Sequence, residues 1–263
     1  MCLYPRLVKN PKYKPNKKNG GIVPPIADER LLYVPVGCQQ CIECKKKKSR
    51  EWNVRLQEEV RHDNKATFVT LTFSNESIKE IIESIDKDNN KVPIEGYNLD
   101  NEIATRATRL FLERWRKKTG KSIKHWLITE LGHEGTENVH IHGLIWSRDT
   151  NMIKDTWKYG WVYTGYSCNE RTVNYITKYV TKIDKDHKSY NSKILTSSGI
   201  GKGYTKRLDS QRNKYNKEAG KTNEMYKDRK GYQRALPIYY RNKIYTEDER
   251  EILWLEKLDK MER

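Results

Sequence analysis

The chain has 263 residues, with 52 lysines and arginines against 35 aspartates and glutamates, a formal net charge of +17. Hydrophobic residues make up 35% and charged residues 33%. That apolar share is lean for a globular protein but gathered in clusters, so a core with polar segments around it is expected, in one large or two small domains. A positive excess spread along the whole chain points to a polyanion, nucleic acid before membrane surface, more than to a merely solvated surface. No apolar run reaches the roughly eighteen residues of a membrane span, and the start, Met1-Cys-Leu-Tyr-Pro-Arg6, lacks the apolar stretch of a secretion signal. A soluble, cytosolic protein is expected. Gly199-Ile-Gly-Lys-Gly-Tyr-Thr-Lys206 is not a phosphate loop, because position 196 is Thr where that loop needs Gly, so no ATPase is expected.

Residues 1–37, rich in Pro, Lys, Asn and Gly, read as an extended arm with one strand at 31–36. Next comes Cys38-Gln-Gln-Cys41-Ile-Glu-Cys44. In a cytosolic chain such spacing suggests a zinc site, with Cys2 or His62 as fourth ligand, or small thiols packing at a helix start. A helix over 44–61 carries Trp52, Leu56 and Val60 on one face, and its start, Lys45-Lys-Lys-Lys-Ser-Arg50, is the densest basic run. It suits phosphate contact or a plain solvated face.

Residues 67–73 alternate as a strand. Ser74 or Asn75 then caps a short helix with Ile78, Ile81, Ile82 and Ile85 as its stripe. Residues 86–100 read as a polar turn, and 103–118 as an amphipathic helix. Strands at 124–130 and 139–146, joined by a Gly-containing turn, should form an antiparallel hairpin. A strand is expected at 157–162 and a helix at 171–183. Residues 184–233 read as loop-rich, or ordered only on a ligand, and are expected to contact DNA. Thr246-Glu-Asp-Glu249 is a capping box opening a last helix that presents Ile252, Leu253, Leu255 and Leu258. The pattern is α+β: a central antiparallel sheet with helices packed on it. The expected parts are an N-terminal arm and helix (1–66), a core (67–183) and a basic C-terminal extension (184–263).

His140 and His142, two apart on a strand, share one face, and Glu130 of the preceding strand can approach them. Two imidazoles and a carboxylate suit a divalent ion that also holds a phosphate oxygen. Hydrogen-bonded histidines on a half-exposed strand are the plainer alternative. Tyr175 and Tyr179 lie one turn apart on a helix face shared with Lys178 and Lys182, opposite Val173, Ile176, Val180 and Ile183. A nearby ammonium or metal would favour the phenolate nucleophile. Amphipathic tyrosines at a core edge are the alternative.

Val139-His-Ile-His-Gly143, Thr129-Glu-Leu-Gly132 and Tyr175-Ile-Thr-Lys-Tyr-Val-Thr-Lys182 resemble the motifs of the HUH endonucleases, and 68–73 resembles that superfamily's first motif. Two tyrosines are nearest to the rolling-circle replication initiators. Over nearly its full length the chain is similar to the replication initiation proteins of small single-stranded DNA phages of the microvirus family, gokushovirus type. Met1-Cys2, the cysteine cluster running into Arg50-Glu-Trp52, Gly199-Ile-Gly201 and Leu236-Pro-Ile-Tyr-Tyr240 carry that likeness.

The resemblance implies an HUH palm. His140, His142 and Glu130 would hold Mg²⁺ or Mn²⁺, with Glu134 or Glu137 able to replace Glu130. Tyr175 and Tyr179 would be the nucleophiles, and Lys178 and Lys182 would position or neutralise the phosphate. The activity implied is nicking of a single-stranded origin through a 5′-phosphotyrosine, followed by recircularisation of the product strand. The implied partners are the origin DNA and a host helicase and DNA polymerase, in the cytoplasm of a bacterial host. A relaxase or transposase of the same superfamily, or a non-catalytic single-strand-binding protein, are the competing readings.

Overall fold

A computed structural model describes residues 2–88, 93–132 and 137–262. In chain order it forms β1 (Arg6–Lys9), β2 (Tyr33–Val36), α1 (Ile42–His62), β3 (Ala66–Leu71), α2 (Asn75–Asp88) and α3 (Gly96–Thr119). β4 (His125–Leu131), β5 (Val139–Trp146), α4 (Thr150–Trp157), β6 (Val162–Ser167), α5 (Glu170–Lys178) and β7 (Ile194–Thr196) follow. The chain ends with β8 (Met225–Lys227), β9 (Gln233–Ala235), α6 (Ile238–Ile244) and α7 (Glu247–Met261). Two compact units result: residues 55–201, and residues 1–54 together with 202–263, with the boundary inside α1. No helix among the described residues is long and apolar enough to cross a membrane.

Unit 55–201 is built on a five-stranded antiparallel sheet in the order β6-β3-β5-β4-β7, so the α+β class and the expected hairpin are both present. Alternation along the strands sends Val69, Leu71, Leu127, Leu131, Val139, Ile141 and Ile145 to one face. There they join Ile81 and Ile85 of α2, Phe111 and Trp115 of α3, and Ile153 and Trp157 of α4 in one core. Gly143 sits where β5 runs closest to β4: a Cβ there would fall 2.1 Å from the Trp126 carbonyl oxygen and 2.8 Å from Leu127 Cα. Close backbone approach, not unusual dihedrals, explains this glycine.

Four elements of this unit differ from the sequence expectation. The segment expected as a strand at 157–162 begins with the last residue of α4. Its aromatic alternation, Trp157, Tyr159, Trp161, mimics a strand, but Asp149 caps the helix through the Met152 amide (2.8 Å) and Lys158 adopts a left-handed φ of 64°. Trp157 is instead buried, donating its indole N–H to the Thr72 carbonyl at 2.8 Å, and the strand starts at Val162. α3 begins at Gly96, with Tyr97 and Leu99 packed on the core, where polar Asn and Asp residues suggested a turn. α5 stops at Lys178, short of 183, and Ile183 is exposed rather than part of the apolar stripe. Within 184–201, β7 joins the sheet edge beside β4.

In the other unit, β1 pairs with β2 in a two-stranded antiparallel ribbon, Arg6 opposite Val36 and Lys9 opposite Tyr33. The arm is anchored rather than loose: Tyr13 and Leu31 are buried, and Lys12 bonds Glu251 (2.6 Å) and Asp248 (2.8 Å) of α7. The region expected to lack apolar anchors finds them in its tyrosines. Tyr204, Tyr226, Tyr240 and Tyr245 form a core with Val54, Leu236 and Leu253, and the Tyr204 hydroxyl bonds Asn213 Oδ1. The capping box of α7 is present, with Glu249 N–H donating to Thr246 Oγ1 (3.2 Å) and Thr246 N–H to Glu249 Oε2 (2.7 Å). Of its expected stripe Leu253 is buried, while Ile252 is exposed.

Candidate active site

Strand register brings the polar residues of three strands together on the sheet face opposite the core. Glu130 stands across from His140, and His142 lies between Ile128 of β4 and Thr70 of β3. His142 is held at both ring nitrogens. Nδ1 is 3.0 Å from Thr70 Oγ1, and Nε2 is 2.8 Å from Glu130 Oε2. A Thr70 hydroxyl that donates to Nδ1 leaves the ring proton on Nε2, facing Glu130. The other Glu130 oxygen is held by the Lys182 ammonium. Burial alone would raise the Glu130 carboxyl pKa, but hydrogen bonds from His142 and Lys182 outweigh it and hold it below the usual range.

His140 is half-buried beside Gly132, where any Cβ would fall 2.8 Å from its Cε1 atom. Burial, with His142 beside it, pushes the His140 pKa below its ordinary 6.5. The ring is therefore neutral, as a metal ligand must be. Of the other two carboxylates considered, Glu137 turns to His187, at 3.7 Å, and Glu134 lies outside the described residues.

Asn169 starts α5, its Oδ1 accepting from the amides of Arg171 (2.9 Å) and Thr172 (3.2 Å). Val173 and Ile176 are buried, which turns Tyr175 and Tyr179 toward the sheet's polar face. Tyr179 sits one residue beyond the helix in a tightened turn, its amide bonded to the Ile176 carbonyl at 3.2 Å. Its ring stacks on His142 with centroids 4.6 Å apart and planes 18° from parallel. Tyr175 meets Phe68 edge-on at 6.0 Å and is 51% exposed. The two hydroxyls are 2.7 Å apart and hydrogen-bonded.

The lysines do not serve these phenols as expected. Lys182 goes to Glu130, and Lys178 is exposed. Burial first, then the Tyr175 hydrogen bond and the Glu130 charge, push the Tyr179 pKa far above its ordinary 10. Its activation therefore has to come from a cation or substrate that the protein's own side chains do not supply.

Two imidazoles and a carboxylate are a donor set suited to a divalent ion. Two of these donors already touch, and Thr70 orients one of them from behind as outer-shell partners do. The trio is not gathered as tightly as the cysteines, however. Among the described residues, the group of three or more donor atoms lying within 4.8 Å of one another is Cys2, Cys38, Cys41 and Cys44. That cluster could hold a metal ion, and its fourth member is Cys2, not His62. At the histidine site the Glu130–Lys182 pair would have to open for both carboxylate oxygens to reach an ion.

Thr70 and Phe68 are site residues that sequence reading missed. Their alternation with buried Val69 and Leu71 placed them on the polar face, but their partners depended on pairing between strands about seventy residues apart.

The site and fold together define an α+β protein that presents paired imidazoles, a carboxylate and paired phenols on one face of an antiparallel sheet. Residues 66–184, slightly under half of the chain, match a family model described as Replication-associated protein, of the ORF2 type. Every residue of the cluster lies in this segment, which is thus similar to replication-associated proteins. No curated protein and no solved structure matches the chain.

Proposed function

We propose that the chain is a rolling-circle replication initiator of the HUH type: a divalent-metal-dependent endonuclease and strand transferase acting on single-stranded DNA. One observation carries the reading. The Tyr175 and Tyr179 hydroxyls share one position, with the Tyr179 ring stacked on His142 of the His142–Glu130 pair. Tyrosines serving only as a core edge have no need to share a hydroxyl position beside two imidazoles and a carboxylate. The replication-associated family match over the same segment supports it, as does the +17 charge.

In this reading His140, His142 and Glu130 hold Mg²⁺ or Mn²⁺, which supplies Lewis-acid polarisation of the scissile phosphate. A tyrosine oxygen attacks phosphorus, the bond to the departing 3′ oxygen breaks, and that oxygen leaves as a 3′-hydroxyl. The 5′ phosphate stays on the tyrosine, so the ester's bond energy is kept for resealing by a later 3′-hydroxyl. Lys182, released from Glu130, and Lys178 neutralise the phosphate. Trp161 and Tyr163, exposed with rings 5.9 Å apart, offer stacking surface for unpaired bases. A small single-stranded DNA phage as source, the bacterial cytoplasm as compartment, and a host helicase and polymerase as partners complete the proposal.

The test is covalent capture. Labelled single-stranded oligonucleotides covering an origin region are incubated with the protein and Mn²⁺, and denatured. Wild type should give a protein–DNA adduct that EDTA prevents and that Tyr175→Phe/Tyr179→Phe abolishes. Adduct formation by the double variant would refute the tyrosine roles. Tight binding with no adduct on any strand would favour a non-catalytic single-strand-binding protein.

A further inference from the structure

The cysteine cluster lies in the unit formed by 1–54 and 202–263, and the chemistry proposed above does not use it. Its four sulfurs lie within 4.8 Å of one another, and all four cysteines are free of disulfides. Cys2 Sγ and Cys41 Sγ are 3.8 Å apart. Sulfurs about 2.3 Å from a central zinc in tetrahedral array are separated by about 3.8 Å. A cluster of several irons would spread its thiolates wider, since each binds a different iron.

The surrounding backbone is shaped for sulfur acceptors. The amides of Tyr4 and Cys38 point at Cys2 Sγ, each at 3.3 Å, and the Cys41 amide points at Cys38 Sγ at 3.2 Å. Donors aimed at sulfur suit thiolates, which carry charge and have no proton to give. Gln39, between Cys38 and Cys41, takes a left-handed φ of 66°, which folds the Cys-x-x-Cys turn back on itself. Gly37 leaves the room this needs: a Cβ there would fall 2.9 Å from Cys44 Sγ.

The local packing also lacks another explanation for its order. All four residues of β1 are exposed, and an isolated two-stranded ribbon is marginal in water. Arg6 pairs with Val36 at the ribbon's open end, with Cys2 just before it on one strand and Cys38 just after it on the other. We propose that Cys2, Cys38, Cys41 and Cys44 form a closed structural zinc site. It staples the ribbon's open end to the first turn of α1 and so orders the basic run Lys45–Arg50 that follows. Four thiolates fill the tetrahedron, leaving no position for substrate. Zinc binding here contributes to folding of this segment.

The test uses the full chain with a C-terminal tag, purified without chelator, and reads metal content by plasma mass spectrometry. One zinc per chain is expected in wild type and in His140→Ala/His142→Ala, with most of it lost in Cys38→Ser/Cys41→Ser. Cobalt substituted into wild type should give the intense visible bands of tetrahedral thiolate coordination, which needs no variant to fold. In Cys2→Ser, zinc should pass to a chelator faster than in wild type, and amide exchange of residues 2–9 should rise. Undiminished zinc in the double cysteine variant would overturn the site, as would iron and sulfide in place of zinc, or a zinc-free folded protein whose cluster thiols all alkylate. Zinc release from Cys2→Ser at the wild-type rate would overturn the staple. None of these outcomes depends on DNA cleavage, so they stand or fall apart from the proposed nuclease.

Discussion

Replacing Thr70 with valine isolates the outer support of the histidine site. Valine has nearly the shape of threonine and suits a strand, so β3 should persist. The hydrogen bond lost is the one at 3.0 Å to His142 Nδ1, and its loss should cost the fold about 0.5–1.5 kcal/mol. The larger effect falls on metal affinity. Without Thr70, His142 keeps its stack on Tyr179 and its contact with Glu130, but nothing fixes which ring nitrogen carries the proton. Losing an outer-shell partner of this kind weakens metal binding about 10–100-fold, or about 1.4–2.8 kcal/mol. The assay is a Mn²⁺ titration of adduct formation on an oligonucleotide that wild type cleaves. The midpoint should move up by that factor, and saturating Mn²⁺ should restore most of the rate. An unmoved midpoint, or a loss that saturation does not recover, would refute the orienting role.

Lys182→Met should move the same midpoint the opposite way, because its ammonium competes with an ion for Glu130. The pair is half-exposed on the lysine side, so a gain of up to about fivefold is expected, corresponding to about 1 kcal/mol or less; a higher Mn²⁺ requirement would contradict this. Gly143→Ala should destabilise the fold by about 3 kcal/mol or more through overpacking between β4 and β5, read as a lowered urea midpoint, and a midpoint equal to wild type would show that the sheet can open there. His125 and His140 are both held below 6.5 by burial. The unfolded chain therefore takes up these protons first, and the stability they confer is full above about pH 6.5 and lost as pH falls below it. Urea midpoints at pH 7.5 and 5.5 should show the decline, lessened in His125→Gln; no difference between the two pH values would count against it.

The central hairpin was readable because its strands alternate cleanly and their histidines, carboxylate and apolar residues each fall on a consistent face. The tyrosine pair was readable from helical spacing, though not its geometry: the helix ends at Lys178 and a tightened turn brings Tyr179 back over His142. What alternation could not convey was identity of partner. Thr70 and Cys2 owe their places to contacts between distant segments. The aromatic period of 157–163 obeyed the rule for strands while belonging to a helix end, a turn and only then a strand. In residues 202–263, tyrosines counted as polar ornaments of a loop proved to be its core, since a phenol ring buries as much apolar surface as a leucine when one partner serves its hydroxyl.

The hydrogen bond between the Tyr175 and Tyr179 hydroxyls has a consequence for how they ionise. Groups this close titrate as a pair, with two macroscopic steps that belong to neither alone. Once one phenol loses its proton, the other is the donor that stabilises it, and a second loss would place two anions at hydrogen-bond distance. The pair therefore behaves as a single monoprotic acid over the accessible pH range. One oxygen at a time is competent, and the idle hydroxyl is the solvating group for the active one. Alternation between two nucleophiles then needs no moving part, only the transfer of a proton across 2.7 Å.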